Sequence, residues 1–310
     1  MKRGFAFIIF IILFLSACST PEKNSSVEST PTDVSTQQQN QNSWPPTNSG
    51  PWDGKIVLAT SGDGVAFTSG ETLVEQAGVP NLLLTSDGRL IAVYQYFSFD
   101  DETWFDVIAY SVSTDNGKTW TETQKLDIQE LPESVGDKHA MDPTLVETDE
   151  GGLRLYFTYK SSDEAYVHLN SAYASDGNIA SSFIYEEGER PDIGKNMLDP
   201  AVVYFDGLWH HYTWDMDSDV NYHSTSQDGV NFELQDNIEL PMDFLGEVVP
   251  ADGGLRFYGT GQGGVVSAYS EDGYSWEMEE GSRMQGADPG VAQLSDGSYI
   301  MLYTSMNFNA

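Results

Sequence analysis

Five segments of the sequence repeat one pattern, and this repeat constrains the fold more than any other feature. Each segment has a short apolar run, a turn that contains glycine, and a second run rich in aromatic residues. The five apolar runs begin at Val79, Asp142, Asp199, Leu245 and Asp288. Asp-Gly between two apolar runs, as in four of the turns, is a strong signal for a β-hairpin. The sequence therefore predicts five copies of one hairpin unit.

A second motif alternates with these hairpins. Residues 113–120 read Ser-Thr-Asp-Asn-Gly-Lys-Thr-Trp, which resembles the Asp box of sialidase-type propellers. Shorter copies begin at Ser61, Ser226 and Ser270, and a degraded copy begins at Ala174. In such a turn the Asp carboxylate caps backbone amides and the glycine adopts a positive φ. We expect these turns to form the outer hairpins of the units and to have a structural role.

The order of the elements predicts how the domain closes. The chain ends after the first two strands of the fifth unit. Its folded part starts with Lys55–Thr60 and Val65–Thr68, which read as the third and fourth strands of a unit without its first two. Pairing these strands in the last unit leaves no open sheet edge. The sequence therefore predicts an all-β, five-bladed β-propeller over residues 51–310, and we expect it to be a monomer.

The first 18 residues predict export. Lys2 and Arg3 precede an apolar run, Gly4–Leu15, which has the length of a signal-peptide core. A spanning helix would need about 20 apolar residues. Leu15–Cys18 reads Leu-Ser-Ala-Cys and resembles a bacterial lipobox, so we expect lipidation of Cys18 and anchoring at an extracytoplasmic membrane surface. An ordinary signal peptide, in which Cys18 is incidental, is the alternative.

Composition limits the partners of the chain. Residues 19–50 are rich in Ser, Thr, Gln, Asn and Pro, and this composition predicts a disordered tether. The formal net charge is −34, which repels nucleic acid and anionic lipid. We expect no required cofactor, although Asp215, Asp217 and Asp219 could bind Ca²⁺. A solvated acidic loop is the alternative reading of those three residues.

The predicted channel mouth is rich in carboxyl groups. If each first strand lines the channel, its opening residue lies near one mouth, which places Asp142, Asp199 and Asp288 together. Strand alternation puts Asn81 and Glu247 on the same face, two positions further along. Crowded acids raise each other's pKa, so that one can stay protonated near neutrality. The alternative is that each Asp-Pro pair merely caps a turn.

Repeated Asp-Pro strand starts, combined with Ser-x-Asp-Gly turns, resemble the five-bladed glycosidases of the arabinanase, levansucrase and invertase group. The resemblance implies hydrolysis of an extracellular poly- or oligosaccharide by inversion, with Asp142 as base, Asp199 setting pKa and orientation, and Glu247 as acid. The sequence departs from that group at Val79, because the group takes its base from the first blade. A non-catalytic module that binds a glycan or a protein is therefore the alternative.

Other residues are candidates for substrate binding. Aromatic side chains near strand ends can stack on sugars, and the candidates are Trp104, Trp209 and Trp214. Asn81, His139 and Asp288 complete the predicted binding set. A true sialidase is disfavoured, because no arginine lies near Val79, where that chemistry would need one.

Overall fold

The computed structural model describes residues 50–132, 140–159 and 167–306, and these residues form five β-sheets in a propeller. The helical elements in this part are two three-residue 3-10 turns, Pro51–Asp53 and Glu102–Trp104. The predicted all-β, five-bladed propeller is confirmed. Cys18 and His139 lie outside the described residues.

None of the helices within the described ranges is long and apolar enough to cross a membrane.

The strands are numbered here in chain order. They are β1 (Gly54–Ser61), β2 (Phe67–Glu75), β3 (Ala77–Leu84), β4 (Leu90–Phe97), β5 (Phe105–Ser113), β6 (Gln124–Lys125), β7 (Ile128–Gln129), β8 (Met141–Glu147), β9 (Leu153–Tyr159), β10 (His168–Ala174), β11 (Phe183–Glu186), β12 (Met197–Phe205), β13 (Leu208–Asp215), β14 (Val220–Ser226), β15 (Glu233–Leu234), β16 (Phe244–Ala251), β17 (Gly254–Gly261), β18 (Gly264–Ser270), β19 (Glu277–Met278), β20 (Ala287–Gln293) and β21 (Tyr299–Met306).

Each blade begins with an inner strand and proceeds outward by antiparallel pairing. Blades 1, 3 and 4 have the orders β3-β4-β5-β6, β12-β13-β14-β15 and β16-β17-β18-β19. Blade 2 has the order β8-β9-β10-β11, and its outer edge gains β7 as a parallel fifth strand. The repeat did not predict β7, since this two-residue segment carries no periodicity of its own.

Blade 5 closes the ring, as the sequence predicted. Its order is β20-β21-β1-β2, so the first two strands of the domain complete the last sheet. The pairing of β1 with β21 is continuous, from Gly54 opposite Met306 to Ser61 opposite Tyr299. The fourth strand begins at Phe67, later than predicted, because Val65 and Ala66 donate their backbone N–H groups to the Asp63 carboxylate and stay in the turn.

Buried tyrosines connect neighbouring blades. In blades 2, 3 and 4 a tyrosine of the second strand donates its hydroxyl to a glycine carbonyl in the Ser-x-Asp turn of the next blade, at 2.7–2.8 Å. The three pairs are Tyr156–Gly229, Tyr212–Gly273 and Tyr258–Gly64. At two of these seams an arginine two residues earlier, Arg154 or Arg256, also donates to the adjacent Asp carbonyl. The turns therefore join the blades to one another.

The closing strand also contributes to the core. Ile56 of β1 is fully buried in a cluster with Leu82 and Leu90 of blade 1 and Ile300 and Leu302 of blade 5. Burial of a side chain of this size contributes roughly 1.5–3 kcal/mol. Closure therefore rests on apolar packing as well as on strand pairing.

We predict that Ile56→Ala lowers the free energy of unfolding by about 2–5 kcal/mol, through lost burial and a residual cavity. Thr60→Ala is the control, because Thr60 lies exposed on the same strand, and it should change the value by less than about 0.5 kcal/mol. Urea unfolding of the two variants and the wild type measures both effects. Equal and small losses would contradict a packed closing strand.

Candidate active site at the channel mouth

The structure brings the opening residues of the five inner strands together at one end of the channel. Val79, Asp142, Asp199, Leu245 and Asp288 line a single cavity of about 20 Å³. That volume is close to the space one water molecule needs. Leu245 is buried, whereas Asp142, Asp199 and Asp288 are partly exposed as whole residues, so the acids lie in a recess at the end of the channel.

A β-bulge positions these residues. In blades 1, 2, 3 and 5 the register of the inner strand shifts at this point, and the bulged residue adopts a left-handed φ before a proline. The four values are 48° at Val79, 48° at Asp142, 54° at Asp199 and 48° at Asp288. Aspartate tolerates this region, whereas a β-branched residue rarely adopts it. Val79 thus occupies the same conformational position as the three acids.

Hydrogen bonds from neighbouring strands hold the carboxyl groups. The Thr158 hydroxyl donates to Asp142 Oδ2 at 2.7 Å, and the backbone N–H of Asp199 also donates to the Asp142 carboxyl. The backbone N–H of Leu245 donates in turn to the Asp199 carboxyl. Each of these backbone bonds joins one blade to the next, so the carboxyl groups connect blades 2, 3 and 4.

Asp288 is held by two threonine hydroxyls, those of Thr304 in its own blade and Thr260 in blade 4. Thr304 Oγ1 also accepts the backbone N–H of Val79 at 3.0 Å, and Thr260 Oγ1 accepts that of Asp288 at 2.8 Å. The sequence analysis missed these threonines. A threonine near the end of the second strand recurs in blades 2 to 5, as Thr158, Thr213, Thr260 and Thr304, and an alignment of the repeats could have revealed it.

Burial and mutual repulsion raise the pKa values of the three acids at the mouth. Burial raises the pKa of Asp199 well above its usual range, and the charges of Asp142 and Asp288 raise it further. Burial also raises the pKa of Asp142, and it raises that of Asp288 to about 6. Asp199 Oδ2 is buried and has no hydrogen-bond partner among the described residues. The mouth therefore combines a carboxyl group at Asp199, whose raised pKa favours the protonated form, with an ionisable neighbour at Asp288.

Glu247 lies one layer below these acids. Its side chain is 5% exposed and lines a different cavity, on the far side of a constriction. Glu247 Oε2 accepts a hydrogen bond from the Asn81 side-chain amide and a longer one, of 3.4 Å, from the backbone N–H of Leu82. Asn81 Oδ1 accepts the backbone N–H of Leu145 at 2.9 Å. The structure does not bring Glu247 into one cavity with Asp142 and Asp199, and the Asn81 side chain bonds to protein groups.

The three candidate tryptophans do not share one location. Trp214 is the cross-strand partner of Leu198 and so lies beside the mouth. Its indole N–H donates to Asp219 Oδ1 at 3.1 Å. Trp104 precedes β5 on the same side and meets Tyr96 edge to face at 6.4 Å. Trp209 pairs with Tyr204 near the opposite end of β12 and is 5% exposed. Trp209 is therefore remote from the acids.

The carboxylates of Asp215, Asp217 and Asp219, in the acidic loop of blade 3, accept hydrogen bonds from other protein groups. Asp215 accepts the backbone N–H of Asp217 and the Ser218 hydroxyl, at 3.0 and 2.6 Å. Asp217 accepts the side-chain amide of Asn196. No group of three His, Cys, Asp or Glu side chains that could hold a metal ion occurs in residues 50–132, 140–159 and 167–306. The three carboxylates thus stabilise the turn.

We predict that Asp288→Asn flattens the pH dependence of stability. The folded pKa of about 6 exceeds the unfolded value of 3.8, so the wild type should lose about 2 kcal/mol through this group as the pH rises from 4 to 7. The variant lacks this loss, whereas the exposed control Asp206→Asn keeps it. Urea unfolding at four pH values measures the slopes, and identical slopes for wild type and Asp288→Asn would refute the assignment.

Comparisons with known proteins find the same fold in solved structures, at low sequence identity. No family model and no curated sequence matches the chain. Among solved structures, the family 117 glycoside hydrolase Zg3597 of Zobellia galactanivorans superposes with a TM-score of 0.52 at 14% identity, over 86% of this chain and 90% of that one. The GH32 β-fructofuranosidase BmSUC1 of Bombyx mori gives 0.58 at 13% identity, over 84% and 59%. The GH43_1 enzyme of Xanthomonas citri complexed with xylotriose gives 0.53 at 12%, over 74% and 86%. At these identities the likeness establishes a five-bladed propeller fold that glycoside hydrolases share.

Proposed function

We propose that the protein is a carbohydrate-active propeller that cleaves a glycan at the mouth formed by Asp142, Asp199 and Asp288. The observation that carries the proposal is the buried Oδ2 of Asp199, which has no hydrogen-bond partner within the described part of the chain and lies in a cavity shared with two other carboxyl groups. A protonated oxygen without an acceptor is able to donate its proton to an incoming group. Glycosidic cleavage needs one protonated and one ionised carboxyl group.

The roles follow from the environments of the acids. Asp199 is the proton donor, because burial and two neighbouring charges raise its pKa the most. Asp142 acts as base, fixed by the Thr158 hydroxyl, and Asp288 supplies the second negative charge. The resemblance implied Glu247 as the acid. Its placement beyond the constriction favours Asp199 for that role.

Screening the purified protein against arabinan, xylan, fructan and mannan fragments tests this proposal. We expect new reducing ends on one fragment class, and a decrease of about 10²–10⁴-fold in rate for Asp199→Asn, since a positioned acid contributes that much. Asp206→Asn, at an exposed hairpin of the same blade, serves as control and should keep the full rate. Activity that survives in Asp199→Asn would exclude Asp199 as the acid.

A glycan-binding module without catalysis is the second candidate. Two of the five opening positions, Val79 and Leu245, are apolar, and the cavity between them is small. If the protein is such a module, its migration should be retarded in affinity electrophoresis gels that contain one of the same glycans, while no new reducing ends appear. Loss of retardation in Asp199→Asn would still assign binding to this mouth.

We further propose that Cys18 carries a lipid that anchors the protein at an extracytoplasmic membrane surface, as the lipobox-like Leu15–Cys18 supports. In a bacterial host, the wild type should sediment with membranes and incorporate labelled palmitate. Cys18→Ser should lose the label. A wild-type protein recovered without label in the soluble fraction would contradict lipidation.

A further inference from the structure

The far end of the channel contains a second and larger cavity. All five inner strands contribute to this chamber, which has a volume of about 380 Å³. That volume falls within the range of small-molecule sites, roughly 300–1,000 Å³. The constriction at Asn81 and Glu247 separates the chamber from the acidic mouth, so the two cavities open on opposite faces of the propeller.

The walls of the chamber are apolar. Every blade contributes at least one buried aliphatic residue, and these include Leu82, Leu145, Val202, Val248 and Val291. At the rim, Tyr204 is 41% exposed, and its ring lies 5.2 Å from that of Trp209. An exposed tyrosine that packs on a buried tryptophan beside an apolar cavity offers its ring surface both to a hydrocarbon chain and to a cation.

The side chains of the chamber that can carry a charge are acidic. Glu247 lies at its inner end, and Glu147 lies at its rim, where it accepts the backbone N–H and the hydroxyl of Ser86 at 2.6 and 3.0 Å. Among the described residues that line it there is no lysine, arginine or histidine. Since the chamber presents carboxyl groups to an occupant and no basic group, an occupant with a positive charge complements it, and the charge of the occupant would offset the cost of ionising Glu247.

We propose that the chamber binds a small primary ammonium compound with an apolar body, with the ammonium group on Glu247 and the hydrocarbon against the aliphatic walls. The volume, the apolar lining and the carboxyl group at the inner end all fit this class of ligand. The site is separate from the acidic mouth and does not depend on glycan cleavage.

Binding at this site must release a proton. Burial raises the pKa of the Glu247 carboxyl group and so favours its protonated form in the free protein. An ammonium ion pairs with the carboxylate, and the carboxyl proton leaves to solvent, one for each ion bound. The other titratable groups that line the chamber are Glu147 and Tyr204 at the rim, while the neighbours of Glu247 across the constriction are the uncharged Asn81 and Leu82 N–H. Affinity should therefore rise as pH rises.

Calorimetry of the full-length protein with n-butylammonium and 1-butanol tests the proposal. Between pH 5.5 and 7.5 the ammonium affinity should increase, by up to about tenfold per pH unit, and titrations in two buffers of different ionisation enthalpy should count one released proton. The alcohol has the same chain without the charge, so its binding should be weaker and independent of pH. No heat at millimolar n-butylammonium would overturn the proposal.

Variants locate the site. Glu247→Gln should abolish the proton release and the pH dependence, whereas Asp288→Asn, which removes a carboxyl group from the other mouth, should preserve both. Tyr204→Ala, at an exposed position, should lower the affinity for both n-butylammonium and 1-butanol several-fold. If Glu247→Gln fails to fold, Tyr204→Ala decides. Unchanged affinity in Tyr204→Ala, or loss of ammonium binding in Asp288→Asn, would place the amine elsewhere and refute the chamber.

Discussion

The close approach of the inner strands determines the rest of the structure. A Cβ atom at Gly290 would lie 2.6 Å from the carbonyl oxygen of Pro80, and one at Gly246 would lie 2.8 Å from that of Pro289. Real Cβ atoms essentially never come so near a backbone atom, so β16, β20 and β3 meet as they do because glycine is present at both positions. This contact narrows the channel in its middle. A polar mouth and an apolar chamber result, each with its own opening and its own chemistry.

The same carboxyl groups that form the mouth also connect the blades. Asp142 accepts a backbone N–H from blade 3, and Asp199 accepts one from blade 4. Two threonines from different blades hold Asp288. These bonds favour the charged forms, whereas burial and mutual repulsion disfavour them, and at Asp199 and Asp288 burial is the larger effect. The propeller therefore keeps acids of raised pKa in place, and the described residues that line the mouth include no basic side chain.

Much of this architecture could be predicted from the repeat. The five units, their hairpins and the return of β1 to the last blade follow from the spacing of apolar runs and Asp-Gly turns, because each unit needs a neighbour to cover its apolar face. The gathering of Asp142, Asp199 and Asp288 follows from the same register. The separation of Glu247 from these acids could not be predicted in this way. Strand alternation assigns each side chain to a face of its strand, but it does not show where along its axis the channel becomes too narrow to remain one cavity. Trp209 shows a related limit: it lies near a strand end, but the sequence does not say which face of the propeller that end reaches. The Thr260 and Thr304 hydroxyls were missed because each also accepts a backbone N–H from the neighbouring blade, a contact that the pattern of a single repeat does not show.

Val79 has a consequence for how this mouth can change over time. Its backbone lies at φ 48°, in a left-handed bulge that aspartate adopts at far lower conformational cost than valine. The first blade thus keeps the backbone of an acid position without its carboxyl group. A change to aspartate would require no rearrangement of the main chain, and it would relieve strain while adding a fourth carboxyl group to the ring. In evolutionary terms, a single substitution at this position would change which groups at the mouth can transfer protons, while the fold stays the same.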